Sequence, residues 1–174
     1  MIKAIAAVGQ AYELGKGNEL LWTHPEDFKH FVNYTRNHVV IMGLNTYRSL
    51  PKALKGRTVL VLTSHPNGVE LLQDSDIVLS GFTPDRVVDY AKSLLNEKGH
   101  DGVVVAGGGY VYGTFAPYVD ELSLTYFEAS DKNADAYFPA DQYKTLLKGK
   151  VQELLTITGA DNKVGFVIKS YRAN

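Results

Sequence analysis

Four short apolar runs, Ile2–Val8, His38–Met42, Thr58–Leu62 and Val103–Ala106, constrain this chain most, because each is cut off by a glycine or a polar turn after seven residues or fewer. Runs that brief, with little alternation, are the pattern of strands covered on both faces, as in a parallel sheet. A still shorter run, Ile77–Leu79, lies between the third and the fourth. Helical signals fill the gaps. Phe28, Phe31, Val32 and Thr35 recur at i, i+3, i+4, i+7 after a start marked by Pro25 and by Thr23 and Glu26 in capping-box spacing, with Thr23 or His24 as the cap. Leu44–Leu50 reads as a short helix closed by Pro51. Thr83-Pro84 opens a longer one, with Val87, Val88, Ala91, Leu94 and Leu95 at helical spacing and an end near Gly99. Gly107–Gly109 leads from the fourth run into a short helix, Tyr110–Phe115.

Beyond Pro117 the pattern changes: Glu121–Phe127 and Val151–Thr158 alternate, and Val164–Tyr171 follows across the turn cluster Gly159–Lys163, as in a hairpin. The whole reads as an α/β fold, one domain over residues 1–174, with a mainly parallel central sheet, flanking helices and a C-terminal antiparallel hairpin. Ligands of such sheets sit beyond the carboxyl ends of the strands, near a topological switch point. Gly43, Thr63-Ser64 and Gly107–Gly109 are therefore predicted to face one crevice. The stretch Gly9–Trp22 reads as a long loop, and loops of that length in compact domains are disproportionately lids or binding segments.

Composition narrows the function. The chain has 174 residues, enough to bury about 70% of its unfolded surface. The absence of cysteine removes disulfides, thiolate metal sites and a cysteine nucleophile, and permits a reducing compartment. Eighteen basic against 19 acidic residues, a formal charge of -1, give no electrostatic case for nucleic acid or an anionic membrane as partner. The N-terminal apolar run is too short for a secretory segment, and no run is long enough to span a bilayer, so a soluble cytoplasmic protein is expected. The five histidines lack the spacing of a metal site, and no G-x-S-x-G elbow or P-loop occurs. No metal is expected.

Two features leave alternatives open. Asp27 lies one residue from the edge of the apolar stripe, so it is either a solvated first-turn acid complementing the helix dipole or a carboxylate in an aromatic pocket, where burial raises its pKa. The triple glycine fails the G-x-G-x-x-G fingerprint at Tyr112, and is either a structural turn or a backbone cradle for a pyrophosphate. Arg57 and Lys52 are candidates for binding a carboxylate tail, with solvated surface charge the simpler reading for Lys52.

Ala7, N-x-L-L-W at Asn18–Trp22, P-E-D-F-K-x-F at Pro25–Phe31, VIMG at Val40–Gly43, T-Y-x-S-L at Thr46–Leu50, Gly56-Arg57, GGG-x-V-Y at Gly107–Tyr112 and Y-F-P at Tyr137–Pro139 stand in an order and spacing that resemble dihydrofolate reductase along nearly the whole chain. The resemblance implies hydride transfer from NADPH to C6 of a dihydropterin, with a proton reaching N5 through water. It gives Asp27 the 2-amino and N3 edge of the pterin, Thr125 a hydrogen bond to Asp27, Trp22 a nearby water, and Leu21 a place beside the chemistry. Ile5, Ala7, Phe28, Phe31, Ser49, Leu50, Leu54 and Ala106 would line the folate pocket, and Arg57 would take the glutamate carboxylate. On the cofactor side it places Ala7, Asn18, Gly43, Leu44, Asn45, Thr46, Leu62, Thr63, Ser64, His65, Ala106, Gly107, Gly108, Gly109, Tyr110, Val111 and Tyr112, with a cis peptide at Gly107-Gly108 and a mobile lid over Gly9–Leu21. A folate substrate, antifolate inhibitors and a monomer are implied as well.

Three departures matter. Leu44 and Tyr110 stand where the family often has basic side chains on cofactor phosphates, which puts weight on His65 for the 2'-phosphate. Ala106 replaces a larger aliphatic and implies extra room near the pterin. Competing readings are another pterin or pyrimidine reductase of the same fold, such as the riboflavin-pathway reductase, and a non-catalytic nucleotide-binding or structural protein. Trp22, Asp27 and Arg57 disfavour the first, and the intact lid disfavours the second.

Overall fold

The computed structural model describes residues 1–174. The expected apolar runs are β1 (Ile2–Val8), β4 (His38–Gly43), β5 (Thr58–Leu62), β6 (Ile77–Leu79) and β7 (Gly102–Val105), joined by β8 (Glu121–Phe127), β10 (Lys150–Ile157) and β11 (Phe166–Arg172) in one sheet of order β10-β11-β8-β1-β7-β4-β5-β6. The six strands from β8 to β6 pair in parallel, and β10 and β11 complete the sheet as an antiparallel hairpin.

The period of two along each strand divides the core between the faces of the sheet. Ile2, Ala4, Ala6 and Val8 of β1, with Val39, Ile41, Leu60, Val103 and Val105, pack beneath α3 (Pro84–Lys98) and α4 (Gly109–Phe115). Ile5, Val40, Met42, Val59, Val61, Val104 and Ala106 point the other way, toward α2 (Leu44–Ser49) and toward Phe31 and Tyr34 of α1 (Pro25–Thr35). Helix α3 is bounded as its sequence signals, with Thr83 accepting from the Arg86 amide and Gly99 left-handed at φ 68°. Helix α2 is tied down by a buried carboxylate. Asp76 accepts from the Tyr47 hydroxyl at 2.6 Å, the Val59 amide at 3.1 Å and Gln73 Nε2 at 3.0 Å, and the Tyr47 oxygen in turn accepts from the Leu72 amide. Burial and this neighbouring carboxylate push Tyr47 up to about 12.

Several expectations need correction. Gly9–Trp22 is not a plain loop: β2 (Glu13–Lys16) and β3 (Glu19–Leu20) form a hairpin that pairs with β9 (Ala136–Tyr137) in a second, three-stranded sheet. Elements of two to four residues carry too little periodicity to be read, and the partner of Gly15 on β9, Ala136, is distant in sequence. Strand β8 alternates, but its polar positions do not face water: Glu121, Ser123 and Thr125 are buried, because β8 lies between β1 and β11. Conversely, the stripe on α1 is not a core stripe. Thr35 alone is fully buried, and Phe28 remains 39% exposed beside the cleft. His24 rather than Thr23 caps α1, its Nδ1 accepting from the Glu26 amide at 3.1 Å, so the Thr23–Glu26 box does not form. Short elements between Glu128 and Gly149, including α5 (Lys144–Leu147), have no counterpart in the sequence reading.

The lid hairpin is anchored by a buried acid. Glu13 is 1% exposed, and its carboxylate accepts from the Ala11 amide at 2.7 Å, the Ser130 hydroxyl at 2.5 Å and the Asp131 amide at 2.6 Å. Burial alone would raise its pKa; these hydrogen bonds outweigh burial and hold it below the ordinary 4.5. A depressed carboxyl pKa contributes stability above the ordinary value and loses it as pH falls through the folded one. Glu13→Ala leaves two amides without acceptors and is expected to cost about 1–3 kcal/mol, read as a lower urea midpoint at neutral pH. The gap between wild type and variant should shrink on acidification, and a midpoint that does not move would contradict the anchoring role.

Candidate active site

Strands β4 and β7 are neighbours, yet the chain leaves them toward opposite faces, into α2 and α4 respectively. This divergence opens a crevice at their carboxyl ends. The two turns are stitched across it, with the Gly43 amide donating to the Gly107 carbonyl at 2.9 Å and the Ala106 amide to the Ile41 carbonyl. The Gly107-Gly108 peptide is cis, as the resemblance implies. A side chain on Gly107 would crowd Thr46 and the Tyr112 hydroxyl at 3.3 Å, and one on Gly109 would meet the Tyr137 carbonyl at 3.0 Å. Glycine is needed here for close approach.

The crevice holds about 1080 Å³ and is lined by Gly43–Thr46, Leu62–His65, Ala106–Tyr112 and the lid residues Leu14, Gly15 and Asn18–Leu20. All of the expected cofactor-side residues line it except Ala7. Neither α2 nor α4 has a side chain capping its N-terminus, so first-turn amides remain available to a ligand. Size, glycine turns and free amides fit an extended dinucleotide. The lid closes one side: Asn18, left-handed at φ 64°, meets Asn45 of α2 at 3.4 Å, while Asp135 accepts from the Gly17 amide at 2.9 Å and donates its own amide to the Gly15 carbonyl.

Asp27 sits in the first turn of α1, and its Oδ1 accepts from Thr125 Oγ1 at 2.6 Å. This contact is the top rung of a ladder. His30 Nε2 meets Ser123 Oγ at 2.9 Å, and the Tyr34 hydroxyl donates to Glu121 Oε1 at 3.0 Å, with Arg172 on the other Glu121 oxygen. Helix positions 27, 30 and 34 share one face, as do strand positions 125, 123 and 121, so the two periods match rung for rung. Burial raises the Asp27 pKa above the ordinary 3.8, opposed in part by the Thr125 hydrogen bond and by His24. Asp27 is half-buried and held by Thr125, unlike a fully solvated first-turn acid. Burial also lowers His30, which favours its neutral form.

Beside Asp27 the walls are apolar. Ile5, Leu54 and Ala106 share a cluster with Phe31 and Leu50, Phe28 stacks on Phe31 with ring centroids 6.2 Å apart, and Ser49 lines the crevice. Ala106 belongs to both this cluster and the crevice. Tyr112 also lines the crevice, and its hydroxyl donates to the Ile5 carbonyl at 2.7 Å. Burial, then Tyr143 and Asp27, raise the Tyr112 pKa. On the far side Arg57 donates to Thr35 Oγ1 and to the Lys55 and Val32 carbonyls. Three of its five N–H bonds are used, leaving one on each terminal nitrogen. Lys52 is exposed.

Leu21 does not line the main crevice. It lines a separate hollow of about 280 Å³ with Trp22, Thr23, His24 and Phe127, whereas Leu20 lines the main crevice. Trp22 stacks on Phe127 at 6.2 Å, beside Ala7, and a methyl on Gly9 would lie 2.6 Å from its ring. Glu19, Arg48, Asn67 and Asp135 also line the crevice and were missed. Spacing could have found Arg48, one helical turn after Leu44.

The sequence model for the family described as dihydrofolate reductase matches residues 1–168. "Dihydrofolate reductase type 9" of Escherichia coli is 34% identical over 167 residues, covering 96% of this chain and 91% of that protein. "Dihydrofolate reductase type 3" of Salmonella typhimurium is 32% identical over 143 residues, with 80% and 78% covered. Among solved structures, dihydrofolate reductase from Enterococcus faecalis complexed with NADP(H) and RAB-propyl superposes with a TM-score of 0.76 at 25% identity, covering 100% of this chain and 96% of that one. With a family match over nearly its whole length, this chain belongs to the dihydrofolate reductase family.

Proposed function

We propose that this protein reduces 7,8-dihydrofolate to 5,6,7,8-tetrahydrofolate with NADPH. The observation that carries the reading is Asp27, half-buried in the first turn of α1 with one oxygen held by Thr125, on a fold whose glycine-lined crevice is of dinucleotide size. Thr125 takes one lone pair of Oδ1, so the other lone pair of Oδ1 and those of Oδ2 can accept from the pterin's 2-amino and N3 edge, which presents two donors. A charge-assisted contact of this kind fixes ring orientation in a site with little water. The bound cofactor supplies hydride to pterin C6, and water supplies the proton to N5, since Asp27 is engaged at the pyrimidine edge.

The other residues position and exclude. Ile5, Phe31, Leu50, Leu54 and Ala106 offer the apolar walls of the folate pocket, with Phe28 at its mouth. The two free N–H bonds of Arg57 suit a carboxylate at the tail, held in place because backbone carbonyls fix the guanidinium. Gly43–Thr46 and Gly107–Tyr112 hold the cofactor, and the lid from Gly9 to Leu20 keeps water from the transfer path. Trp22 holds a water near the pterin. Antifolates compete for the same pocket. The protein works as a single-domain monomer in the cytoplasm; the lack of cysteine suits a reducing compartment, and its exposed apolar residues, such as Phe82, Tyr110 and Val151, lie on separate elements.

Replacing Asp27→Asn removes the charge while keeping the shape. kcat/KM for dihydrofolate at neutral pH, followed by loss of cofactor absorbance, is expected to fall on the order of 10²-fold while the cofactor Kd holds, as for a buried charge pair deprived of one partner. Undiminished turnover would refute the role given to Asp27. The Thr125→Val variant tests the pKa argument. The Thr125 hydrogen bond lowers an Asp27 pKa that burial has raised, so its loss should carry the acid limb of the kcat/KM profile to higher pH. An acid limb left where it was would show that Asp27 does not control that titration.

A further inference from the structure

Asn67 is the one asparagine in the chain that is followed by glycine. The pair sits in the turn region beyond β5, exposed at both residues, and Gly68 has φ 75°, the left-handed backbone that suits glycine. Neither group is tied down. The Asn67 side chain has no hydrogen-bond partner, and the Gly68 amide donates to none. A methyl group built on Gly68 would meet nothing within 4 Å, so the surroundings are open as well. By contrast, Asn33, Asn37 and Asn45 hold hydrogen bonds through their side chains and precede residues with side chains of their own.

We propose that Asn67 is a site of spontaneous deamidation, and that its product, a carboxylate in the wall of the crevice, weakens binding of the anionic cofactor. The Gly68 nitrogen, its proton taken by hydroxide, attacks the side-chain amide carbon of Asn67. A C–N bond forms, the C–NH2 bond breaks, and the NH2 group leaves as ammonia with a proton from water, giving a five-membered succinimide. Water then opens either ring carbonyl, to aspartate or to isoaspartate at position 67. Nothing is oxidised or reduced. Glycine favours the attack because it puts no side chain in the way and leaves the backbone free to turn. Asn67 lines the crevice, where Glu19 and Asp135 are the acids and Arg48 is the one arginine or lysine. A third carboxylate there meets a dinucleotide that carries negative charge of its own, and affinity falls as the molecule ages. The cofactor in this proposal rests on the functional reading above, whereas the modification itself does not.

The intact protein, aged at mildly alkaline pH, is mapped by peptide mass spectrometry and titrated calorimetrically with NADPH before and after. Conversion is expected at Asn67 ahead of every other asparagine, as two isomeric products in which OH replaces NH2, and faster as pH rises. The NADPH Kd of the converted protein should rise roughly 3- to 10-fold at low ionic strength and less at high salt. Asn67→Asp, made directly, should show the same salt-sensitive weakening without ageing. Gly68→Ala obstructs the attack and should hold its own starting Kd through the same treatment. An Asn67 that stays intact, or converts no earlier than the other asparagines, would overturn the proposal. So would converted protein, or the Asn67→Asp variant, binding NADPH as tightly as fresh wild type. Fresh wild type that binds no NADPH while Asn67 converts would instead sink the functional reading and leave the modification site standing.

Discussion

The hydrogen bond from Thr125 to Asp27 joins the two parts of the protein on which the site is built, the helix that carries the acid and the strand that continues the sheet past β1. A carboxylate in a half-sheltered setting has to be held, because desolvation disfavours its charge and a free side chain would turn toward water. The hold here is collective. Three rungs at helix spacing i, i+3, i+7 meet strand spacing j, j-2, j-4, so His30–Ser123 and Tyr34–Glu121 fix the rotation of α1 about its axis. With that rotation fixed, Asp27 has one direction available and Phe28 and Phe31 another. The same register places Ala7 beside Thr125, which sets β1 as the floor between acid and glycine turn.

The ladder also explains why the site is open. A helix docked through polar rungs along one line leaves its neighbouring apolar positions uncovered, and the partial exposure of Phe28 follows from that geometry rather than from poor packing. On the opposite face of the sheet α3 docks through Val87, Val88, Ala91 and Leu94, all buried, and the crevice reaches that face as well, since Leu79 and Val87 line it.

Much of this was legible in the residues, and the division is physical. Short apolar runs ended by glycine gave the parallel strands to within a residue or two, since burial on both faces leaves a dense local signal. Capping and termination at Thr83 and Gly99 were readable because they depend on neighbours in sequence. What stayed hidden depends on distant partners. The lid hairpin needs β9, whose two residues say nothing until Gly15 and Glu13 lie beside them. Asp76 is an unremarkable acid until Tyr47 and Val59 reach it. Around the crevice, the glycine turns were readable because they punctuate apolar runs, whereas the contact of Asp27 with Thr125 joins residues 98 apart.

The Tyr47–Asp76 network also bears on the crevice from a distance. Asp76 joins the Tyr47 hydroxyl of α2 to the Val59 amide of β5, and so clamps the short helix against the sheet. A buried carboxylate that does not line the crevice thus fixes the helix whose first turn does, because a six-residue helix has too few hydrogen bonds of its own to hold its direction.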